Sequence, residues 1–436
     1  MEGLEADSRP IRLKHISELG ERIRSGSVSR IVSGEVNNHV HTYYSFSPYS
    51  PSGAAFRAWD AGLLTVGVMD HDSVAGCLEM LDAGRAIGMP TTVGFEMRVR
   101  MEGTLVEDRR LNSPDSLGIA YIAIHGIPKS KIDEADAFLK PIRKARNERN
   151  RKMTSDLSTL IVNWGLDPID FDTDVYPISW ASEGGSITER HLLFALAKRL
   201  VSSLNRGVVL ADFLHNKLGI EIPDKILEYL SDPENPHYLF DLLGLLKTAV
   251  LPPVFVQPNS KECISVDEAL DFARGVGAIP AYAYLGDVTE SPTGDKKAEE
   301  FEDSYLDLLM NELQRLGFAA ITYMPPRNTL DQLRRVQGLC ADHGFMEISG
   351  VDINSSRQSF NCPELLQPEF SHLADAAWAL IAHEKLANID PLLGFFHPGN
   401  PHASLPFNER LRRYSEIGKM VDHHNPESAI SLLGAY

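Results

Sequence analysis

The chain has 436 residues, with 42 Lys and Arg against 60 Asp and Glu, for a formal net charge of −18. With 43% hydrophobic and 23% charged residues, it lies outside the compositions of disordered chains, collagens and disulfide miniproteins. The acidic balance argues against a general nucleic-acid or anionic-membrane surface, while leaving room for a local basic pocket.

Cys77, Cys263, Cys340 and Cys362 form no CxxC pair, which disfavours a thiolate zinc site or a redox motif. No run reaches the roughly 20 apolar residues of a membrane span. Met1 to Arg30 has no apolar signal-peptide core. The expectation is a soluble, cytoplasmic protein.

In chain order, Ile11 to Ile31 reads as a charged amphipathic helix and Val36 to Val40 as a short strand. Phe56 to Ala61 looks helical, and Leu64 to Met69 is an apolar strand running into Asp70-His71-Asp72. Val74 to Ala86 is a helix stopped by Gly88 and Pro90. Thr91 to Val93 is a strand ending at Gly94-Phe95-Glu96, and Ile119 to Ile124 one ending at His125. Such alternation predicts parallel strands covered by helices. Polar groups fall just after the strand ends, where an α/β barrel carries its chemistry.

From about 130 to 250 the signal turns helical, with helices over Lys140 to Leu160, Thr188 to Ser202 (Thr188 as N-cap), Asp212 to Leu218 and Pro236 to Ala249. The barrel pattern resumes after Pro253. Helices are expected at Val266 to Gly275, Asp303 to Leu316 and Leu330 to His343, and strands at Ala278 to Ala283, Ala319 to Tyr323 and Glu347 to Ser349. A last helix covers Asn408 to His423. The division is an N-terminal helical extension (1–33), a barrel in two parts (34–129 and 251–400), a helical insertion over its mouth (130–250), and a C-terminal helix and tail (401–436).

His39-Val40-His41 places two imidazoles on one side of a strand, where their ring nitrogens can share a divalent metal. His71 lies between two acids after a buried strand; a metal would offset the cost of burying it, and either Asp70 or Asp72 could orient an imidazole. Glu96 can bridge two metals, and His125 and Asp352 follow further strands. Each element is weak alone. Together, after successive strands of one pattern, they predict a metal centre.

On His39-Val40-His41-Thr42, Asp70-His71-Asp72, Gly94-Phe95-Glu96 and Gly350-Val351-Asp352, the chain resembles the polymerase-and-histidinol-phosphatase (PHP) superfamily of metallohydrolases. That resemblance implies a distorted (β/α)7 barrel, here with a helical insertion domain, and up to three metals that most often serve phosphate-ester cleavage. The insertion resembles a cap with a basic, histidine-containing segment: Gly184 to His191 would bring Arg190 and His191 to the site.

Three departures stand out. Ser45, Phe46 and Ser47 occupy the place of a usual Asp or His, Ala278 to Tyr284 lacks a usual His-Pro pair, and Asp352-Ile353-Asn354 replaces a usual Asp-x-His. Asn354 can still offer a carbonyl oxygen to a harder metal. One or two divalent ions (zinc, manganese or iron) then fit better than three.

The ligand candidates are therefore His39, His41, His71, Glu96, His125, Asp352 and Asn354, and the catalytic candidates Asp70, His191 and Arg357. Arg357 is the best placed of the phosphate-binding candidates, the others being Arg109, Arg110, Arg190 and Arg327. Three functions remain open at this point: a metal-dependent phosphoesterase on a small phosphorylated metabolite, a metal-dependent amide or lactone hydrolase, and a non-catalytic metal- or ligand-binding module. The last would use the Tyr43 to Tyr49 loop as a stacking surface. The expected partner is a small molecule, with no nucleic-acid polymer and no membrane.

Overall fold

The computed structural model describes residues 2–113, 115–287 and 300–435. Its strands are β1 (Val36–Val40), β2 (Thr65–His71), β3 (Thr91–Arg100), β4 (Ile119–His125), β5 (Ile264–Ser265), β6 (Ile279–Ala283), β7 (Ala320–Tyr323) and β8 (Met346–Ser349). Seven of them follow one path, β1-β2-β3-β4-β6-β7-β8, while the short β5 pairs beside β3. The path returns on itself after β8. Val40 bridges Ile353 in parallel, the His41 amide donates to the Ile353 carbonyl at 2.9 Å, and the Ile353 amide donates to His39 at 3.2 Å. Only glycine fits this approach, since a Cβ on Gly350 would sit 2.3 Å from the His39 Cβ. The architecture is a nearly closed seven-stranded α/β barrel with helical additions.

Two expectations are corrected. The strands are not all parallel: β4 runs antiparallel to both β3 and β6. The described residues of the 101–118 connection contain no helix, and an antiparallel neighbour needs no crossover helix, whereas a parallel one does. The β3 strand is also longer than expected. Glu96 therefore lies within it, paired with Ala123 of β4, rather than after its end.

Alternation along the strands separates two apolar layers. Val68, Phe95, Val99, Ile122 and Ile321 face outward into the main core with helices α1 (Arg9–Arg24), α2 (Pro51–Asp60) and α3 (Cys77–Ile87). Met69, Ala123, Ala281, Ala320 and Ile348 fill the interior below the site and meet Ala379, Leu380 and Leu386 of the helix Ser371–Ile389. That helix closes the barrel floor, where Glu384 accepts the Val93 amide at 2.7 Å.

The α4 helix (Ile132–Val162) joins two cores. Its first turns carry Ile132, Ala135, Leu139 and Ile142 into the main core. Its last turns carry Met153, Leu157 and Ile161 into a second core, with Leu192, Leu196 and Leu200 of α5 (Glu189–Leu204) and Leu242 and Leu246 of the helix Tyr238–Ala249. Among the described residues no helix is long and apolar enough to cross a membrane.

Candidate metal centre

The site lies at the mouth of the barrel, where β1, β2, β3 and the loop after β8 converge. His39 on β1 and His41 just after its end face the same way, and their Nε2 atoms stand 3.3 Å apart. From the loop after β8, Asp352 Oδ1 lies 2.9 Å from His41 Nε2. From β3, Glu96 Oε2 lies 3.0 Å from His71 Nδ1, 3.6 Å from His39 Nε2 and 3.9 Å from His41 Nε2. The potential ligand atoms form two groups, His39–His41–Asp352 and His41–His71–Glu96, each within 4.8 Å.

These spacings suit a common ion. Ligands about 2.1 Å from a metal at tetrahedral angles stand roughly 3.4 Å apart. A further observation supports the fit: His71 Nδ1 is buried and close to Glu96, yet it lacks the alignment of a hydrogen bond. His125, expected from sequence as a ligand, is buried inside the barrel with no hydrogen-bond partner for its Nε2, and it falls outside both ligand groups. Imidazole nitrogens with carboxylate oxygens are a donor set for zinc, manganese or iron.

Electrostatics prepare the same groups. Burial opposes charge on Glu96 and Asp352, but the facing imidazoles outweigh it and hold both carboxyls well below their ordinary range, Asp352 with help from Arg190. Burial pulls His39 down, and Glu96 beside it more than compensates, so its pKa is raised. His41 is lowered by burial and by the neighbouring His71. Burial takes His125 down to about 3, so its imidazole stays neutral near pH 7 and keeps a lone pair available.

The structure separates Asp70 from this cluster. Adjacent residues of a strand face opposite ways, so while His71 looks into the barrel, Asp70 looks out. Its carboxylate accepts the Thr42 amide, the Thr42 hydroxyl and the Ser45 hydroxyl, each at 2.7 Å. It braces the loop after β1 and does not face the cavity. Asp72 forms a buried ion pair with Arg146.

Two more catalytic candidates are turned away. His191 is the third residue of α5, with Nδ1 accepting the Thr188 amide at 3.0 Å in a capping box. Its ring is edge-on to Phe46, and burial and Arg146 lower its pKa to about 3. Arg357 turns toward the helix Tyr238–Ala249, where it pairs with Asp241 and lies 3.7 Å above the Tyr229 ring centroid. Asn354 is beside the cluster, but its Oδ1 accepts from Arg190 at 2.9 Å and its Nδ2 donates to Asp352 at 2.8 Å. That carbonyl oxygen is engaged by an arginine instead of being presented to an ion.

The cluster opens into a cavity of about 180 Å³. Beside the cluster residues His39, His71, Glu96 and Asp352, its lining includes Arg98, Arg146, Arg190 and Lys247 together with Asp115 and Glu189. Of the five arginines expected from sequence to meet phosphate, only Arg190 lines it. Arg109 and Arg110 lie over the rings of Tyr305 and Phe301, and Arg327 donates to the Leu285 carbonyl. Tyr43 of the aromatic loop stacks on Trp180, 4.3 Å between centroids, as packing over the barrel rim.

Arg98 and Arg146 escaped the sequence reading. Arg98 is two residues beyond Glu96 on the same strand face, so the parity that relates His39 to His41 would have found it had β3 been read past Val93. Arg146 looked like one more charge on a solvated helix. Both belong to a buried network with Arg149, Glu189, Glu262 and Asp72.

No protein-family model matches the chain, and no curated protein matches it. Two solved structures share features of the fold at 18% identity and a TM-score of 0.49. One is a proposed metal-dependent phosphoesterase from Bifidobacterium adolescentis, the match covering 76% of this chain and 94% of that one. The other is an amidohydrolase from Chromobacterium violaceum with sulfate bound and no metal, covering 78% and 96%. At that level of likeness neither carries any argument about chemistry, which rests on the residues described above.

Proposed function

We propose that this protein is a metal-dependent hydrolase of the PHP type, acting on a small phosphate ester. The observation that carries the reading is the convergence of His39, His41, His71, Glu96 and Asp352 at a barrel mouth that opens into a cavity whose lining includes Arg190 and Lys247. His125, the last residue of the neighbouring strand β4, lies outside the two ligand groups and would act at most as a neutral imidazole behind them. One or two ions of zinc, manganese or iron would be held by these side chains, and when bound would lower the pKa of a water and polarise the substrate.

The chain's own residues supply the rest. Arg190, at the start of α5, and Lys247 reach the cavity from the insertion and would receive the anionic oxygens of the ester. Glu96 and Asp352, held ionised, would keep the imidazoles in place through the reaction.

A second reading, hydrolysis of an amide or lactone, is favoured by one specific feature: Arg98 and Arg146 are already paired with Glu189, Glu262 and Asp72. Their charge is largely neutralised within the protein, and a neutral substrate would suit such a wall.

The test has two stages. Elemental mass spectrometry of untagged protein should show one to two equivalents of metal, lost in His41→Ala and Glu96→Ala. Metal-loaded protein is then offered phosphate monoesters beside carboxamides and lactones. Turnover of the esters alone supports the first reading, and turnover of amides or lactones alone transfers the assignment to the second. Metal binding without any turnover leaves a binding module. A wild-type protein that takes up no metal under any reconstitution overturns both hydrolase readings and leaves a module that binds some other ligand.

A further inference from the structure

Among the described residues, four that are not glycine have left-handed backbone conformations: Phe46, Asp72, Asn205 and Asp352, at φ +87°, +49°, +61° and +51°. Such conformations are disfavoured for L-residues and persist only where their surroundings impose them. Three of the four lie in the metal-site loops. Phe46 belongs to the loop after His41, Asp72 follows His71, and Asp352 is itself a candidate ligand.

Each of the three is held by the helical insertion. The Asp72 carbonyl accepts from Arg143 Nη1 at 3.1 Å and its carboxylate pairs with Arg146, both on α4. The Asp352 carboxylate accepts from Asn354 Nδ2 at 2.8 Å, and Asn354 Oδ1 in turn accepts from Arg190 of α5 at 2.9 Å. Gln358 holds the Asp352 carbonyl at 2.8 Å from within its own loop. The Phe46 ring is part of the second core, with its centroid 5.1 Å from His191 and 5.4 Å from Phe194. The loops that carry His41, His71 and Asp352 are thus shaped by residues from a different part of the chain.

We propose that Arg143, Arg146, Arg190 and the second core are positioning elements for the metal ligands, so that seating of the insertion on the barrel and divalent-metal binding are thermodynamically linked. Asn354 serves as the relay from Arg190 to Asp352. The inference rests on the metal-centre reading above. The linkage works in both directions: an insertion that is seated improves the metal site, and a bound metal must then hold the insertion down by the same free energy. The Arg98–Glu189 contact also ties β3 directly to α5 at 3.3 Å.

The experiment uses the full chain. Zinc and manganese affinities are measured by chelator competition for wild type, Arg190→Ala and Asn354→Ala. The control is Arg151→Ala, whose partner Asp172 lies on the exposed surface of the insertion. Amide hydrogen exchange over 189–204 is followed with and without metal, and thermal melts confirm that each variant folds. The expected result is metal affinity weakened about 10- to 100-fold in Arg190→Ala and Asn354→Ala, the range typical of groups that orient ligands, with Arg151→Ala unchanged. Metal should also slow exchange over 189–204 in wild type and do so less in Arg190→Ala. If wild type binds metal but the two variants bind it equally well, or exchange over 189–204 ignores the metal, the linkage is overturned and the metal centre stands. If wild type binds no metal, the metal-centre reading falls and the linkage falls with it.

Discussion

Arg12 and Glu79 meet in a two-pronged ion pair, Nε to Oε1 at 2.8 Å and Nη2 to Oε2 at 2.6 Å, with both side chains fully buried. The same carboxylate accepts the Ser52 amide and hydroxyl, and the Arg12 guanidinium lies 5.2 Å from the Tyr43 ring and 5.6 Å from that of Trp180. One residue of the N-terminal helix therefore touches α3, the loop after His41 and the insertion. Removing one partner of a buried pair leaves the other charge unmatched. Arg12→Ala or Glu79→Ala should each cost about 3–5 kcal/mol in denaturant unfolding. The double variant Arg12→Met with Glu79→Met should recover most of that loss.

Ser45 sets the state of His41. Its hydroxyl donates to Asp70 Oδ1 at 2.7 Å and lies 3.2 Å from His41 Nδ1. With its hydrogen committed to Asp70, Ser45 can only accept, so Nδ1 carries the proton and Nε2 turns its lone pair toward Glu96 and Asp352. Ser45→Ala should weaken zinc binding about 10- to 100-fold in chelator competition, with little change in the unfolding midpoint. Equal affinity in the two proteins would remove Ser45 from this role.

Glu302 gives stability a pH dependence. Burial raises its carboxyl to about 7, against the lowering effect of the Leu285 amide that it accepts at 2.8 Å. Its folded pKa lies above its unfolded one, so its contribution is complete below about pH 4.5 and is lost as the pH rises through about 7. The loss is of the order of 3 kcal/mol. Denaturant titrations from pH 4.5 to 8 should show this decline in wild type, and Glu302→Gln should flatten it.

A ligand that binds only the folded state stabilises it by mass action, about 2.7 kcal/mol at one hundred times its dissociation constant. Zinc or manganese at that excess should raise the melting temperature of wild type and leave that of His41→Ala with Glu96→Ala unmoved. A chelator should reverse the rise.

Much of the barrel was legible because its signals are local. The i, i+2 relation of His39 and His41 needs only a strand, and an apolar run ending in Asp70-His71-Asp72 marks a strand and its rim together. The same rule, carried through, separates Asp70 from His71, since neighbours on a strand face apart. The reversal of β4 left no mark in composition, because either direction buries the same residues. The helix Ser371–Ile389 was unread because it is buried on most sides, so no polar stripe reveals its period. The arginines of α4 resembled ordinary solvated charges until the fold placed Arg146 and Arg149 against Glu189 and Glu262.

The continuity of α4 bears on how this architecture can change. Its first turns belong to the barrel core, its last to the second core, and between them Arg143, Arg146 and Arg149 reach Asp72, Glu189 and Glu262. A deletion that spared the barrel strands but removed this helix would leave the Asp72 carboxylate without its arginine and the Glu189 and Glu262 carboxylates facing Arg98 without Arg146 and Arg149. The helices of the second core are therefore no detachable module: grafting them onto another barrel, or trimming this chain to a minimal one, requires rewriting the strand residues they face, and the two cores can diverge only in step.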